Sequence, residues 1–210
     1  MKPSQLLTPE DRERIEQAVR DAERGTAGEI VVAVVRACDR HAAAPWRLAA
    51  WAAAAVLVAA AAFAPDARAL ELLAGVLVAG AAAHAACLLD PVRRALVPER
   101  ELEERAQREA RRAFAEHGLR RTEARTGILI LVALFEHRVV VLGDEAIDRA
   151  LGPDESWQQV VDAILEGLRT GRAADGIALG VRLCGAMLAH PLPPAPDDRD
   201  EIPHGLVLED

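Results

Sequence analysis

The amino-acid sequence predicts an α/β protein with a mixed sheet, interrupted by a helical hairpin long and apolar enough to cross a membrane. Continuous runs of aliphatic and β-branched residues, typical of strands buried on both faces, alternate with amphipathic helical patterns. Although 28% of the residues are charged, 51% are hydrophobic. Two alanine-rich blocks hold the apolar surplus, and these blocks form the predicted hairpin.

The first predicted element is an amphipathic helix. Thr8 is placed as its N-cap, with Pro9 at the first helical position and Asp11 where a carboxylate reaches back to the cap. The helix runs to about Arg24 and is followed by a strand over residues 29–35. The unbroken β-branched run of this strand indicates a central position in a parallel sheet.

Two apolar blocks follow, over residues 48–64 and 72–89, with a short polar turn between them. Each is near the minimum length for crossing a hydrocarbon core of about 30 Å, and Trp46 and Trp51 lie at one rim. The alternative is a buried hairpin of a soluble protein. Neither block has a polar face at any helical phase, which favours the membrane. His84 is either a functional intramembrane group or a helix-interface residue near the helix end, and the pattern favours the latter.

Arginines flank the hairpin, whereas its turn holds one arginine against two acidic residues. The positive-inside rule therefore predicts a two-pass protein of the inner (cytoplasmic) membrane, with both termini and the folded domain in the cytoplasm. The flanking arginines are Arg36, Arg40 and Arg47 before the hairpin and Arg93, Arg94 and Arg100 after it.

The remaining elements alternate helices with strands. The second and third strands are joined by a short polar turn, so we expect them to be antiparallel neighbours, while the first two strands are parallel. The patterns predict helices over 99–117, 156–170 and 175–188, and strands over 126–134 and 139–142. The resulting division is one discontinuous α/β domain over 1–45 and 91–192, a transmembrane hairpin over 46–90, and an extended or partly disordered tail over 193–210.

Composition and motifs exclude several functions. The formal net charge of -8 argues against a nucleic-acid binder, which needs an excess of basic residues. The three cysteines lack CxxC spacing, so they predict neither a disulfide framework nor a zinc site. No P-loop, GxSxG elbow or HExxH motif occurs, and the six histidines lack ligand spacing. We therefore expect no nucleotide and no certain cofactor.

Five segments, spread over the chain outside the hairpin, resemble the TPM domain family. They are Thr26-Ala27-Gly28-Glu29-Ile30, the stretch from Thr122 through Thr126-Gly127-Ile128-Leu129-Ile130, Val141-Leu142-Gly143-Asp144, Trp157 with Gly171 and Gly176, and Glu201-Ile202-Pro203. The chain is similar to bacterial members that carry a transmembrane hairpin after the first strand. The resemblance implies a three-layer α/β/α (Rossmann-like) sandwich without a nucleotide-binding glycine loop. It also implies functions that range from acid phosphatase and calcium binding to assembly, repair or auxiliary roles with membrane proteins.

The proposed topology puts Asp144 beside the beginnings of the first two strands, near Glu29, and Asp39 at the opposite edge of the sheet. Asp144, with Glu29 and with Asp148 one helical turn later, is a candidate set of ligands for Ca²⁺ or another divalent cation, and Glu145 is a further candidate. The competing interpretation, which a single carboxylate at a strand-to-helix junction favours, is that Asp144 caps the next helix or pairs with Arg125.

Two functions of different class follow from these observations. The favoured one is a membrane-anchored interaction, scaffold or assembly and repair domain, whose partners are the lipid bilayer and another membrane protein. The alternative is a divalent-metal-dependent phosphatase-like hydrolase, whose catalytic residues the sequence does not identify. The sequence favours the first because it offers few clustered carboxylates and no known catalytic motif.

Overall fold

The computed structural model describes residues 2–39, 41–122, 124–151, 156–194, 202 and 205–210. The helices are α1 (Pro3–Leu6), α2 (Pro9–Glu23), α3 (Ala43–Phe63), α4 (Ala69–Ala86), α5 (Asp90–Ala95), α6 (Glu99–Glu116), α7 (Glu145–Ala150), α8 (Gln158–Arg169) and α9 (Ala173–Leu188), with a short 3-10 helix over Leu119–Arg121. The strands are β1 (Glu29–Val35), β2 (Gly127–Ala133), β3 (Arg138–Gly143) and β4 (Leu206–Glu209).

The chain divides into two compact units. One combines Met1–Cys38 with Glu103–Asp210 and contains the sheet, and the other is Asp39–Leu102 and contains α3 and α4. We call the first the sheet unit and the second the hairpin unit.

The sheet has the strand order β3-β2-β1-β4. β1 pairs in parallel with β2, and β2 pairs antiparallel with β3, which confirms the predicted mixed sheet. β1 and β2 are buried along their whole length, as their unbroken aliphatic sequences require.

β4 was not predicted from the sequence; it pairs in parallel with β1 and brings Val207 beside Ala33. It lies in the segment 193–210, for which we expected only an extended or partly disordered tail. The strand is four residues long, too short for its alternation to stand out beside the Pro- and Asp-rich sequence before it.

Helices cover both faces of the sheet unit, giving the expected three-layer α/β/α arrangement. Side chains of β1 alternate between the two faces, as the period of a strand requires. Ile30, Val32 and Val34 belong to a core shared with α2, α8 and α9, and Val31, Ala33 and Val35 belong to a core shared with α6.

The predicted start of α2 is confirmed in detail. Thr8 Oγ1 accepts a hydrogen bond from the Asp11 backbone N–H at 3.2 Å, and an Asp11 carboxylate oxygen accepts one from the Thr8 N–H at 3.1 Å. This reciprocal capping box satisfies two donors at the helix terminus.

The hairpin unit contains two helices, α3 and α4, that are long and apolar enough by length and composition to cross a membrane. They begin a few residues earlier than the predicted spans 48–64 and 72–89. Near the open end of the hairpin, the ring of His84 on α4 meets the ring of Trp46 on α3 edge to face, with centroids 5.5 Å apart. His84 therefore lies near a helix end and contacts the neighbouring helix.

Candidate functional site

The predicted polar edge of the sheet forms as expected. Glu29 begins β1 opposite Gly127 of β2, and the Asp144 N–H donates to the Gly127 carbonyl at 2.9 Å. Glu29 and Asp144 thus flank Gly127 on either side, two strand spacings of roughly 10 Å apart. By strand alternation both side chains belong to the face covered by α6.

Asp144 caps α7 and pairs with an arginine. Its Oδ1 accepts from the Glu145 backbone N–H at 2.9 Å, and its Oδ2 lies 3.5 Å from Arg125 Nη1. The carboxylate is 8% exposed and Arg125 is 48% exposed. Oδ2 is buried and accepts no hydrogen bond from any residue that the structure describes. The structure therefore shows both the cap and the ion pair that the sequence allowed as alternatives to a metal site.

The other candidate ligands are arranged differently. Glu29 is buried, whereas Glu145 and Asp148 are exposed on α7. Within the described ranges, no group of three or more His, Cys, Asp or Glu side chains is arranged to hold a metal ion. One Asp144 oxygen is occupied by the cap and the other faces a guanidinium. The Ca²⁺ assignment to Asp144, Asp148 and Glu29 stays a prediction.

A pocket of about 160 Å³ opens beside Asp144 in the sheet unit. Arginines from two elements, an aromatic ring and the end of β3 form its walls. The lining residues are Arg111, Phe114, Arg120, Leu142, Gly143 and Asp144.

Local geometry brings the two arginines to this pocket. Arg111 is an exposed residue of α6 at the border of the buried face, next to Ala110 and one turn before Phe114. After α6, Gly118 turns the chain with φ +74°, and the 3-10 helix that follows carries Arg120. The left-handed backbone at this position is one that glycine adopts without steric cost.

The described side chains that line the pocket carry more positive than negative charge, although the chain as a whole is acidic. Neither Arg111 nor Arg120 pairs with a carboxylate of any residue whose position the structure describes. Among the described lining residues Asp144 is the acidic one, and its charge is countered by Arg125. Two positive charges therefore face the pocket without a described counterion. Neither arginine was predicted from the sequence as a site residue, because neither belongs to a known motif.

Charged groups also cluster where α6 passes β4. Glu209 of β4 lies 3.6 Å from Arg112 and 4.0 Å from the His117 imidazole. Glu109 is close to the same group, and its burial raises the pKa of its carboxyl, with Arg112 opposing and Glu209 reinforcing the shift. This cluster ties β4 to α6.

At the other end of the strands, the turn between β2 and β3 holds a buried acid. Glu136 is fully buried and its Oε1 accepts from the Cys38 N–H at 2.9 Å. His137 next to it has φ +53°. The sequence predicted only a short polar turn here. Glu136 instead binds the chain segment that follows β1.

Comparisons with known proteins agree with this description. Residues 92–187 match the model of the TPM domain. The fold matches the NMR structure of BA42 protein from the psychrophilic bacterium Bizionia argentinensis with a TM-score of 0.59, at 21% identity, over 98% of this chain and 97% of that one. At this identity the likeness shows the fold alone. No curated protein matches the chain.

The matched segment holds α6, β2, β3, α8 and most of α9, together with the pocket and Asp144. The earlier motif around Gly28 and Glu29 lies outside the match but pairs directly with it in the sheet. Of the last motif, only Ile202 lies within the described residues. Through residues 92–187, a little under half of its length, the chain is similar to the TPM domain family.

Proposed function

We propose that this chain is a membrane-anchored TPM-domain protein that serves another membrane protein as an interaction, scaffold or assembly and repair factor. In this proposal α3 and α4 lie in the bilayer and the sheet unit binds the partner. The partners are therefore a lipid bilayer and a membrane protein, and neither nucleic acid nor nucleotide takes part.

One observation carries the proposal: large apolar side chains are exposed along the hairpin unit. Among the described residues, every exposed large hydrophobic side chain except Leu179 lies between Trp46 and Leu89. Val58, Phe63 and Leu77 are 70%, 88% and 62% exposed. A soluble protein rarely leaves a contiguous apolar surface of this kind to water.

The dimensions of the hairpin fit a bilayer. α3 has 21 residues and α4 has 18, which at 1.5 Å per residue correspond to about 31 Å and about 27 Å. A hydrocarbon core is about 30 Å thick. Trp46, His84 and Arg47 lie at one end of the hairpin, as residues of a membrane interface do. The same arginine flanks support an inner-membrane location with both termini cytoplasmic.

Membrane anchoring is tested by introducing one arginine at either of two positions in α4, one at the helix centre and one near its end. Leu77 is at the helix centre and Leu70 in its first turn, and both side chains are exposed. An arginine at the centre of a spanning helix costs about 3 kcal/mol of insertion free energy, whereas one near the end extends to the interface. We expect Leu77→Arg to shift the chain into the soluble or aggregated fraction after alkaline extraction of membranes. Leu70→Arg should stay with the membranes as wild type does.

If wild type itself leaves the membrane at alkaline pH, or if both variants stay with the membranes equally, the anchoring proposal is wrong. Orientation needs its own measurement, with reporter fusions at the C-terminus and in the turn between α3 and α4. A reporter that is active only in the periplasm and works at the C-terminus would contradict the cytoplasmic assignment.

The scaffold role itself is tested by crosslinking in native membranes. An affinity-tagged chain with photo-crosslinking residues at exposed positions of α6 should capture one membrane protein reproducibly. That protein's assembly or recovery after damage should fail when the chain is deleted. Unchanged assembly and recovery in the deletion strain would overturn the scaffold role while leaving the anchoring intact.

The alternative function is a metal-dependent phosphatase. Substitution of Arg125 tests whether Asp144 binds the divalent cation that this function needs. Arg125 faces the only Asp144 oxygen that the cap does not use. A cation bound there competes with the guanidinium, so Arg125→Ala should tighten Ca²⁺ binding and Asp144→Asn should weaken it. Calorimetry with Ca²⁺, and hydrolysis of a generic phosphoester with Ca²⁺, Mg²⁺ or Mn²⁺, measure both properties. No binding and no turnover in wild type and in Arg125→Ala would exclude this alternative.

A further inference from the structure

We infer that the pocket lined by Arg111 and Arg120 is a recognition site for an acidic peptide segment of the partner. The inference rests on the proposed function and names the partner's chemistry. In this arrangement one carboxylate of the peptide binds between the two guanidinium groups, and a peptide N–H donates to Asp144 Oδ2.

The charges of the pocket select an anion. Arg111 and Arg120 have no carboxylate partner among the described residues, and Asp144 is already countered by Arg125. Guanidinium groups are planar and bind carboxylates through parallel N–H donors. The whole chain has a formal net charge of -8, so this local positive charge is not a general property of its surface.

Asp144 places a second requirement on the ligand, which must also donate a hydrogen bond. Asp144 lines the pocket, and its Oδ2 is buried and accepts no hydrogen bond from the described part of the chain. A ligand with acceptors alone would leave this oxygen without a hydrogen bond. A peptide satisfies both requirements because it has carboxylate side chains and backbone N–H donors.

The size and lining of the pocket favour a peptide side chain over a whole small molecule. Its volume of about 160 Å³ is below the range of about 300–1,000 Å³ typical of small-molecule sites. Phe114 and Leu142 add an apolar wall against which the methylene groups of a glutamate pack. Arg111 and Arg120 are exposed, so an extended segment reaches them from the surface.

Fluorescence anisotropy tests the inference on the full chain in detergent micelles. The probe is a short, capped, dye-labelled peptide of glutamates around one leucine, and its control is the same peptide with glutamines. We expect the glutamate peptide to bind wild type. The double variant Arg111→Gln, Arg120→Gln should lose about tenfold in affinity, as expected for two partly exposed charge pairs.

Arg182→Gln is the matched control, because Arg182 is an exposed arginine on α9, in the layer on the opposite face of the sheet. It removes one positive charge without touching the pocket and should bind the glutamate peptide as wild type does. Both variants change only exposed residues, so their melting temperatures should stay close to that of wild type.

Equal binding of the two peptides, or equal affinity of wild type and the double variant, would overturn the inference. If inorganic phosphate binds wild type and not the double variant while the glutamate peptide does not bind, the pocket is a phosphate site and the peptide assignment is wrong. Membrane extraction of the double variant keeps the two proposals separate. Retention in membranes together with lost peptide binding supports both, and retention with unchanged peptide binding overturns the pocket assignment alone.

Discussion

Gly127→Ala links the fold of the sheet unit to the pocket. Gly127 begins β2 between Glu29 and Asp144. A Cβ atom at this position would lie 3.0 Å from both the carbonyl carbon and the Cβ of Leu119, and closer still to the carbonyl oxygen. Leu119 is fully buried and is followed directly by Arg120. The backbone of the 3-10 helix must therefore move to accept alanine.

The magnitude follows from two opposing effects. Overpacking of this kind costs about 1–3 kcal/mol, and replacing glycine by alanine recovers about 0.4–1 kcal/mol through the unfolded chain. We expect Gly127→Ala to lower the free energy of unfolding by about 1–2 kcal/mol. For a chain of this size that corresponds to a melting temperature lower by about 2–8 °C. Displacement of Arg120 should also weaken binding of the glutamate peptide.

Gly28→Ala is the matched control, since Gly28 precedes β1 at the same edge of the sheet. Its added Cβ would meet Ile128 Cδ1 at 3.2 Å and Leu188 Cδ1 at 3.4 Å. Both are ends of flexible side chains that can give way, so this variant should melt near wild type. Circular dichroism of both variants in detergent measures the difference. If Gly127→Ala melts at or above wild type, or if Gly28→Ala falls as far, the reasoning from backbone contact is refuted.

Three further predictions concern the cap of α2, a buried thiol and a carboxyl with a raised pKa. Thr8→Ala removes the acceptor for the Asp11 N–H and should lower the free energy of unfolding by about 1 kcal/mol. Thr8→Ser should not, and equal melting temperatures of the two would contradict the role of the cap. Burial raises the pKa of the Cys184 thiol to about 12, so a thiol reagent at neutral pH should label the half-buried Cys38 first and Cys184 only after unfolding. Mass spectrometry measures the labelling rates of the two cysteines, and equal rates for Cys38 and Cys184 in the folded chain would contradict the prediction. Burial raises the pKa of Glu109, so ionisation of this carboxyl destabilises the folded state at pH values above that pKa. Glu109→Gln should melt higher than wild type at neutral pH, and the gap should close as the pH falls through the raised pKa; a gap that is constant with pH would show another cause.

Regular elements with strong local signals could be predicted from the sequence. The capping box at Thr8, the buried run of β1 and the two apolar helices depend on residues that are adjacent or one helical turn apart. Strand directions followed from loop lengths, since the short turn between β2 and β3 allows only an antiparallel pair. These features need no knowledge of distant contacts.

The remaining features depend on contacts between residues far apart in the chain. β4 forms because one edge of β1 is free to pair with it. The four residues of β4, which follow a Pro- and Asp-rich segment, carry no local signal of that pairing. Arg111 and Arg120 converge only because Gly118 adopts φ +74° between them. For Asp144 the sequence named three roles, of which the structure shows the cap and the Arg125 ion pair. A metal at the same carboxylate depends on affinities that neither spacing nor geometry determines.

The strand order has a consequence for how the protein is made. β1 pairs with β2 and β4, and both of these strands are synthesised after the hairpin that separates β1 from them. β1 therefore has no strand partner while α3 and α4 emerge from the ribosome. If the hairpin enters the bilayer as proposed, it does so before the sheet forms, and the β-branched run of β1 stays exposed until residues 127–133 arrive. Anchoring then holds β1 and the later strands on the same side of the membrane. This lowers the entropic cost of closing the loop between them when they pair. Variants that block membrane insertion of the hairpin should for this reason aggregate as well as dissociate from the membrane.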